Sequence, residues 1–422
     1  MLRERRPERG VALLLVVVSI AILAAVAAEF AYTSRVDLEL AAHERDALRA
    51  EYLARSALGT ARLLLQFQKQ LDVSMQALAS TPGLGGAAGG FNLQLWKMMH
   101  VDCQTLGRFL PQNDPGAGLV PRAPRPRGRV EEPPAGALGA PLIDYGTFRG
   151  CYASTIDDEE ARLSVSQLDS LLTAGAGRAA VQRLYLLLTD KRFEFVFEHE
   201  DANHVKLTAN DAVINVKDWA DADDLISTLT LVQGLPQLGP GFGDEPGLYT
   251  RYTPRYRPKN AAFDTVDELF FVHGIGDRFM AAFRDRITVY PDVNARLNVN
   301  SDDPLVLALA VRTAADPAHP DGRLTDPVFL DSVVQKLHAA QLLSPMGLTV
   351  GAFVAVLVQA GIAVNPQITS NVQANPYLGD RSKTFRVTAV GEAGDLLRTV
   401  TAVVRLERPE DGLGTLLYWK EE

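Results

Sequence analysis

The chain has 422 residues, a net charge of −9 and a pI near 5.4. That length can supply two or three domains with sizeable cores. The acidic balance excludes bulk binding to nucleic acid, which needs a basic surface to neutralise phosphates. Only one segment is long and apolar enough to span a bilayer, which excludes a polytopic transporter.

Residues 1–10 read MLRERRPERG, four arginines against two glutamates. Residues 11–28 carry no charge, and the first one after them is Glu29. As a helix that stretch rises about 27 Å, close to the thickness of a bilayer core. The basic leader is expected to stay cytoplasmic, which puts everything after Glu29 on the outer side. A cleaved secretory signal is the competing reading, with Ala25-Val26-Ala27 as a small-x-small site. The residues beyond Glu29 decide against it. The helical pattern continues to about residue 70: Leu38 is followed by Ala41 and Ala42, and Leu48 by Tyr52. Arg35, Asp37, Glu39, Glu44, Arg45 and Asp46 suit a solvated face. The sequence predicts one unbroken rod, apolar first and amphipathic after.

Such a rod resembles the N-terminus of type IV pilins and pseudopilins. In that class a prepilin peptidase cuts after a glycine that directly precedes the apolar stretch, and the new N-terminus is methylated. Gly10-Val11 matches that site. Most members carry a glutamate at the fifth mature position, where it pairs with a neighbouring N-terminus; here that position is Leu15. The minor pseudopilin K family of type II secretion systems is known for lacking the glutamate. The stretches EFAYTSRVDL (29–38), RDAL (45–48) and AEYLARS (50–56) are also similar to that family.

The resemblance implies an α+β fold: a long N-terminal helix, a small antiparallel sheet, and a large, mostly helical domain inserted between strands. It implies a non-enzymatic subunit at the tip of the pseudopilus that starts or caps assembly and supports protein export. Its partners would be the minor pseudopilins I and J and the prepilin peptidase. It would cross the inner membrane once, with its C-terminal domain in the periplasm. The corresponding division is a leader (1–10), an assembly helix (11–70), the first part of the pilin-like domain (71–165), the inserted domain (166–380) and returning strands (381–422).

Along the remainder, TPGLGGAAGG (81–90) reads as a flexible joint and 91–110 as a short helix. Residues 111–141 are rich in Pro, Gly and Arg and read as a disordered or extended loop, either a solvated linker or a contact for something acidic. A strand is expected at 148–156, an acidic turn at Asp157-Asp158-Glu159-Glu160, and a second strand at 162–165. Helices are expected at 167–172, 179–190, 211–219, 265–272, 277–285, 304–313, 326–341 and 350–361, and strands at 383–390, 397–406 and 415–419. ARLSVS (161–166) echoes ARLNVN (295–300), each leading into a helix that Ser166, and Ser301 or Asp302, could cap.

Three motifs bear on chemistry. DTVDELFFVHGIG (264–276) has the layout of a helix-hairpin-helix, which in nucleic-acid proteins offers backbone N–H groups to a phosphate. A membrane-tethered nucleic-acid binder using 264–285 is therefore the alternative function. The mixed, acid-leaning surroundings favour a packing corner with a glycine turn. KDWADADD (217–224), followed by a glycine-rich loop with Glu245, could gather the oxygens calcium prefers. Composition alone reads as a solvated acidic loop. The family resemblance implies calcium, with Asp221, Asp223 and Glu245 as ligands. Leu248 beside Tyr249 departs from the family's tyrosine pair. The two cysteines, Cys103 and Cys151, are either a disulfide or two buried thiols, and spacing does not choose. No Gly-x-Ser-x-Gly, His-Glu-x-x-His or P-loop is present. His199 and His204, among Glu198, Glu200 and Asp201, read as polar surface before metal site.

Overall fold

The N-terminal rod is one helix, α1 (Arg9–Ala79). The computed structural model describes residues 9–79, 93–99, 101–103, 138, 142–145, 148–166, 168, 176–201, 203–232, 234–291, 296–344, 347–372, 375–407 and 412–422. The leader residues 1–8, the joint at 81–90, nearly all of the loop 111–141 and all but residue 168 of the helix expected at 167–172 lie outside them. At 1.5 Å per residue α1 is about 105 Å long, several times the width of a small domain. No proline interrupts it.

The second half of α1 lies on a sheet ordered β1 (Val101–Asp102), β3 (Arg149–Asp158), β10 (Thr384–Ala393), β11 (Leu396–Arg405) and β12 (Thr415–Glu421), with β2 (Ile143–Asp144) also on β3. Every pairing in it is antiparallel. Side chains alternate along a strand, so Phe385, Val387 and Ala389 of β10 and Val400, Ala402 and Val404 of β11 share the helix side. They pack against Ala54, Ala57, Leu58, Ala61 and Leu65 of α1. Between residues 91 and 110 only a four-residue helix, α2 (Leu95–Met98), and β1 are described. Cys103, just past β1, is bonded to Cys151 of β3 with the Cα atoms 5.4 Å apart.

The inserted domain enters after β3 and leaves before β10. These strands are neighbours in the sheet, with Asp158 opposite Phe385, so the domain hangs from one place. It comprises β4 (Leu163–Ser164), α3 (Ala176–Leu188), α4 (Ala209–Ala220), β5 (Leu225–Val232), β6 (Leu235–Asp244), α5 (Glu245–Tyr249), α6 (Asp277–Phe283), β7 (Ile287–Thr288), β8 (Leu297–Asn298), α7 (Pro304–Ala314), α8 (Pro327–Leu343), α9 (Val350–Gln359), α10 (Pro366–Thr369) and β9 (Leu378–Gly379). Leu184, Phe283, Leu307, Leu337 and Phe353 are among the side chains of its core.

Two expectations change here. The stretch after Asp224, read as a glycine-rich loop, is the antiparallel hairpin β5–β6, turning at Gly234 with φ 78°. Threonines and leucines alternating over LISTLTLV make it a strand, and the glycines of β6 let it approach its partner closely: a Cβ at Gly241 would lie 1.7 Å from the Ile226 carbonyl oxygen. The repeated hexapeptides form matching short strands, β4 parallel to β7 and β8 parallel to β9. The cap of α7 is Asp303, whose Oδ1 accepts from the Leu305 amide at 2.8 Å; Ser301 accepts from the Asp303 amide one step earlier. Ser166 donates to the Pro291 carbonyl.

Candidate assembly surface and the joint that carries the inserted domain

α1 has two halves of opposite character. From Leu13 to Leu40 its large apolar side chains point into open space, Leu15 being 64 % exposed. Among the described residues this is the one helix long and apolar enough to cross a membrane, and its apolar window buries nothing within the chain. Gly10 and Val11 stand in its first turn. An exposed face of this extent needs either lipid or another protein around it. From Ala50 onward, small residues at Ala50, Ala54, Ala57 and Ala61 give a flat stripe with no side chain long enough to hold the sheet away.

Contact is closest at Gly391 of β10. A Cβ there would lie 2.0 Å from the Ala50 carbonyl oxygen and 2.5 Å from the Ala54 nitrogen, so helix backbone rests on strand backbone. Arg62 locks the far end, donating from Nε to the Leu413 carbonyl and from Nη2 to that of Gly414.

The joint with the inserted domain is built from three consecutive acids. Asp158 Oδ1 accepts from the Glu160 amide, and its Oδ2 accepts from Asn298 Nδ2 and Ser382 Oγ, both at 2.6 Å. Glu159, 0 % exposed, accepts from Arg386 Nε at 2.5 Å, from Arg162 Nη1 at 3.0 Å and from the Thr288 hydroxyl. Glu160 Oε1 accepts from the amides of Lys383 and Thr384, at 2.8 and 3.1 Å. Each acid thus reaches elements on the far side of the junction. The sequence marks this stretch only as a turn. Four acids closing a strand, with Arg162 beyond them, were the signal for an ionic anchor, but the partner Arg386 is far away in the chain.

Burial, and then the Asp158 carboxylate beside it, push the Glu160 carboxyl up to about 7; Asp158 is also raised, chiefly by burial. A carboxyl raised on folding holds its proton more tightly in the native state. Its stabilising contribution is therefore complete below the unfolded value and is lost as pH rises through the native one. Stability is expected to fall by about 2–3 kcal/mol between pH 4.5 and 8 from this group. Thermal melts of wild type against Glu160→Gln test this: the variant's melting temperature should vary less over that window, and identical slopes would remove the assignment.

The calcium ligands expected from the sequence do not gather as a set. Asp223 is exposed, and its Oδ1 accepts from the Leu225 amide at the start of β5. Asp221, at the end of α4, is buried and paired with the Lys217 ammonium, which also donates to Ser227 Oγ at 2.7 Å. Glu245, at the start of α5, is buried with neither carboxyl oxygen bonded, as are Asp218 Oδ1 and Asp221 Oδ1. Burial first, then Asp218, Asp221 and Asp224, push Glu245 up to about 8. Lys217 supplies the cation within this cluster, a role the sequence reading missed. Among the described residues no group of three or more His, Cys, Asp or Glu side chains is arranged to hold a metal ion.

The 264–285 hairpin is a packing corner. Its first arm is a 3-10 turn (Val266–Phe271) and its second is α6. Gly274 has φ 76°, and a Cβ there would lie 2.8 Å from Leu207 Cδ1. The turn's amides are engaged within the fold: His273 N–H donates to Tyr249 Oη, Gly274 N–H to Tyr252 Oη and Ile275 N–H to the Val272 carbonyl. They are not presented to a phosphate. His204 is exposed, with its Nδ1 3.4 Å from a Glu200 carboxylate oxygen.

No family model matches the sequence, and no curated protein matches it. The chain is similar in structure to one in the GspK–GspI–GspJ complex of the enterotoxigenic Escherichia coli type 2 secretion system, with 13 % identity and a TM-score of 0.44 over 67 % of this chain and 82 % of that one.

Proposed function

We propose that this chain is a minor pseudopilin that stands at the tip of a type II secretion pseudopilus, starts or caps its assembly, and so supports export across the outer membrane. One observation carries the reading: α1 is continuous from Arg9 to Ala79, apolar up to residue 28, bare along its first half and docked on a sheet in its second. Such a helix can leave the lipid and bury the same face among sister helices. Leu15 fits a subunit with no neighbour above it, since a buried carboxylate without a cationic partner is costly. The inserted domain hangs to one side of the rod and is too bulky to repeat along a thin fibre. The minor pseudopilins I and J are the partners this reading names, with the prepilin peptidase acting at Gly10-Val11. The apolar stretch of α1, residues 11–28, would cross the inner membrane, leaving the sheet and inserted domain in the periplasm. The role is structural, without catalysis.

Mass spectrometry of the mature protein is the direct test. A start at N-methylated Val11 is expected, whereas an intact Met1 or a start near Glu29 would sink the reading. Unchanged secretion in a strain lacking the domain beyond α1 would remove the tip role.

Calcium enters as a second reading on the unbonded oxygens of Asp218, Asp221 and Glu245. An ion there would have to displace the Lys217 ammonium. Millimolar calcium is then expected to raise the melting temperature of the wild type and not of Glu245→Gln. No shift in the wild type retires the idea.

A further inference from the structure

Between α5 and the hairpin corner runs Arg251-Tyr252-Thr253-Pro254-Arg255-Tyr256-Arg257, a basic and aromatic stretch in a chain of net charge −9. Arg251, Arg255 and Arg257 are exposed. Among the described residues none of them makes a hydrogen bond or an ion pair. The neighbouring acids along the chain bond elsewhere. Lys259 takes Asp264 at 2.8 Å and Glu268 at 2.9 Å, and Arg284 takes Asp267 at 2.6 Å. Asp201 accepts from the amides of Asn203 and Val205. The three guanidinium groups are thus left without a hydrogen-bonded or ion-paired carboxylate among the described residues.

They stand on a rigid aromatic base. Tyr252 and Tyr256 stack with ring centroids 5.2 Å apart, Tyr256 meets Phe271 edge-on at 6.0 Å, and the Tyr256 hydroxyl donates to the Phe271 carbonyl. Tyr252 is held from the other side by His273 Nδ1 at 3.0 Å. Beside them Phe270 and Phe271 keep 44 % and 54 % of their surface exposed.

We infer that this arginine–tyrosine segment, together with Phe270 and Phe271, is a docking surface for an acidic protein segment, an interaction additional to pseudopilus assembly. Arginine and aromatic residues, with the nearby lysine already engaged, are the composition of the energetic centre of a protein interface. A guanidinium fork matches a carboxylate with two parallel hydrogen bonds, and the fixed rings lose little freedom on binding. A phosphate backbone or an anionic bilayer would extend its charge past the patch against a chain of net charge −9, whereas an acidic loop ends with the patch.

The test uses the full chain in detergent micelles and a labelled glutamate–tyrosine peptide followed by fluorescence anisotropy. Binding is expected, weakening with salt. The triple variant Arg251→Glu, Arg255→Glu, Arg257→Glu is expected to weaken it by about thirty-fold or more. The double variant Phe270→Ala, Phe271→Ala is expected to weaken it by about five-fold. Because the arginines make no hydrogen bond or ion pair among the described residues, the neutral triple variant Arg251→Gln, Arg255→Gln, Arg257→Gln should melt near the wild-type temperature and still bind the peptide more weakly. No peptide binding, or binding that the triple variant leaves intact, overturns the proposal. So does tighter binding of a single-stranded oligonucleotide, or of vesicles containing an anionic phospholipid, that is lost in the same variant.

Discussion

Replacing Glu159 with alanine is expected to cost the protein about 3–5 kcal/mol. The carboxylate is fully buried and is the shared acceptor of Arg162, Arg386 and the Thr288 hydroxyl. Removing it leaves two cations facing each other beside a buried hydroxyl, without the charge that drew them in. Because the arginine side chains keep 22 % and 26 % of their surface exposed, they can swing partly toward water, which sets the lower end of the range. The loss falls on the joint: Arg386 belongs to the sheet and Thr288 to the inserted domain. Chemical denaturation of the full chain in detergent should show a lower midpoint, and limited proteolysis should cut first around the junction. A double variant, Glu159→Leu with Arg386→Met, should recover part of the loss, because a buried ion pair is replaceable by packed apolar groups whereas half of one is not. A wild-type midpoint for Glu159→Ala would show that the pair contributes nothing.

The second large effect is expected at Gly391, where alanine should cost about 3 kcal/mol or more, the scale of overpacking between backbones that cannot yield. The added methyl would fall 2.0 Å from the Ala50 carbonyl oxygen, so either α1 lifts or β10 moves. β10 is held on both sides, by β3 and by β11, so the helix is the part that gives. Cysteine accessibility at Ala54, buried in the wild type, should rise in the variant while the inserted domain's own melt stays in place. An inaccessible position 54 together with an unchanged melt would contradict the close approach.

How far these sites could be read from the chain depends on the range of the interaction. The rod, the strands at the C-terminus and most inserted helices follow from local periodicity, and α7, α8 and α9 fall within a few residues of their expected positions. The β5–β6 hairpin was hidden by its glycines and by the acidic run before it, which resembles loop composition. Gly391 gave no sign either. A glycine inside a strand marks a close approach, but nothing local says to what. The joint needed Arg386 and Thr288, both more than a hundred residues from Glu159, brought beside it only by strand pairing. For the calcium ligands, acidic spacing was visible, but Lys217 inside the cluster and the separate use of Asp223 were not.

The bond between Cys103 and Cys151 closes the chain on itself around the proline-, glycine- and arginine-rich stretch. A peptide bond cut anywhere between the two cysteines therefore leaves one covalent molecule, with α1 and β1 on one piece still tied to β3 and everything after it. Nicking there does not release the assembly helix from the body it carries; only nicking followed by reduction of the bridge removes the covalent tie. The chain can lose its continuity there without losing its connection.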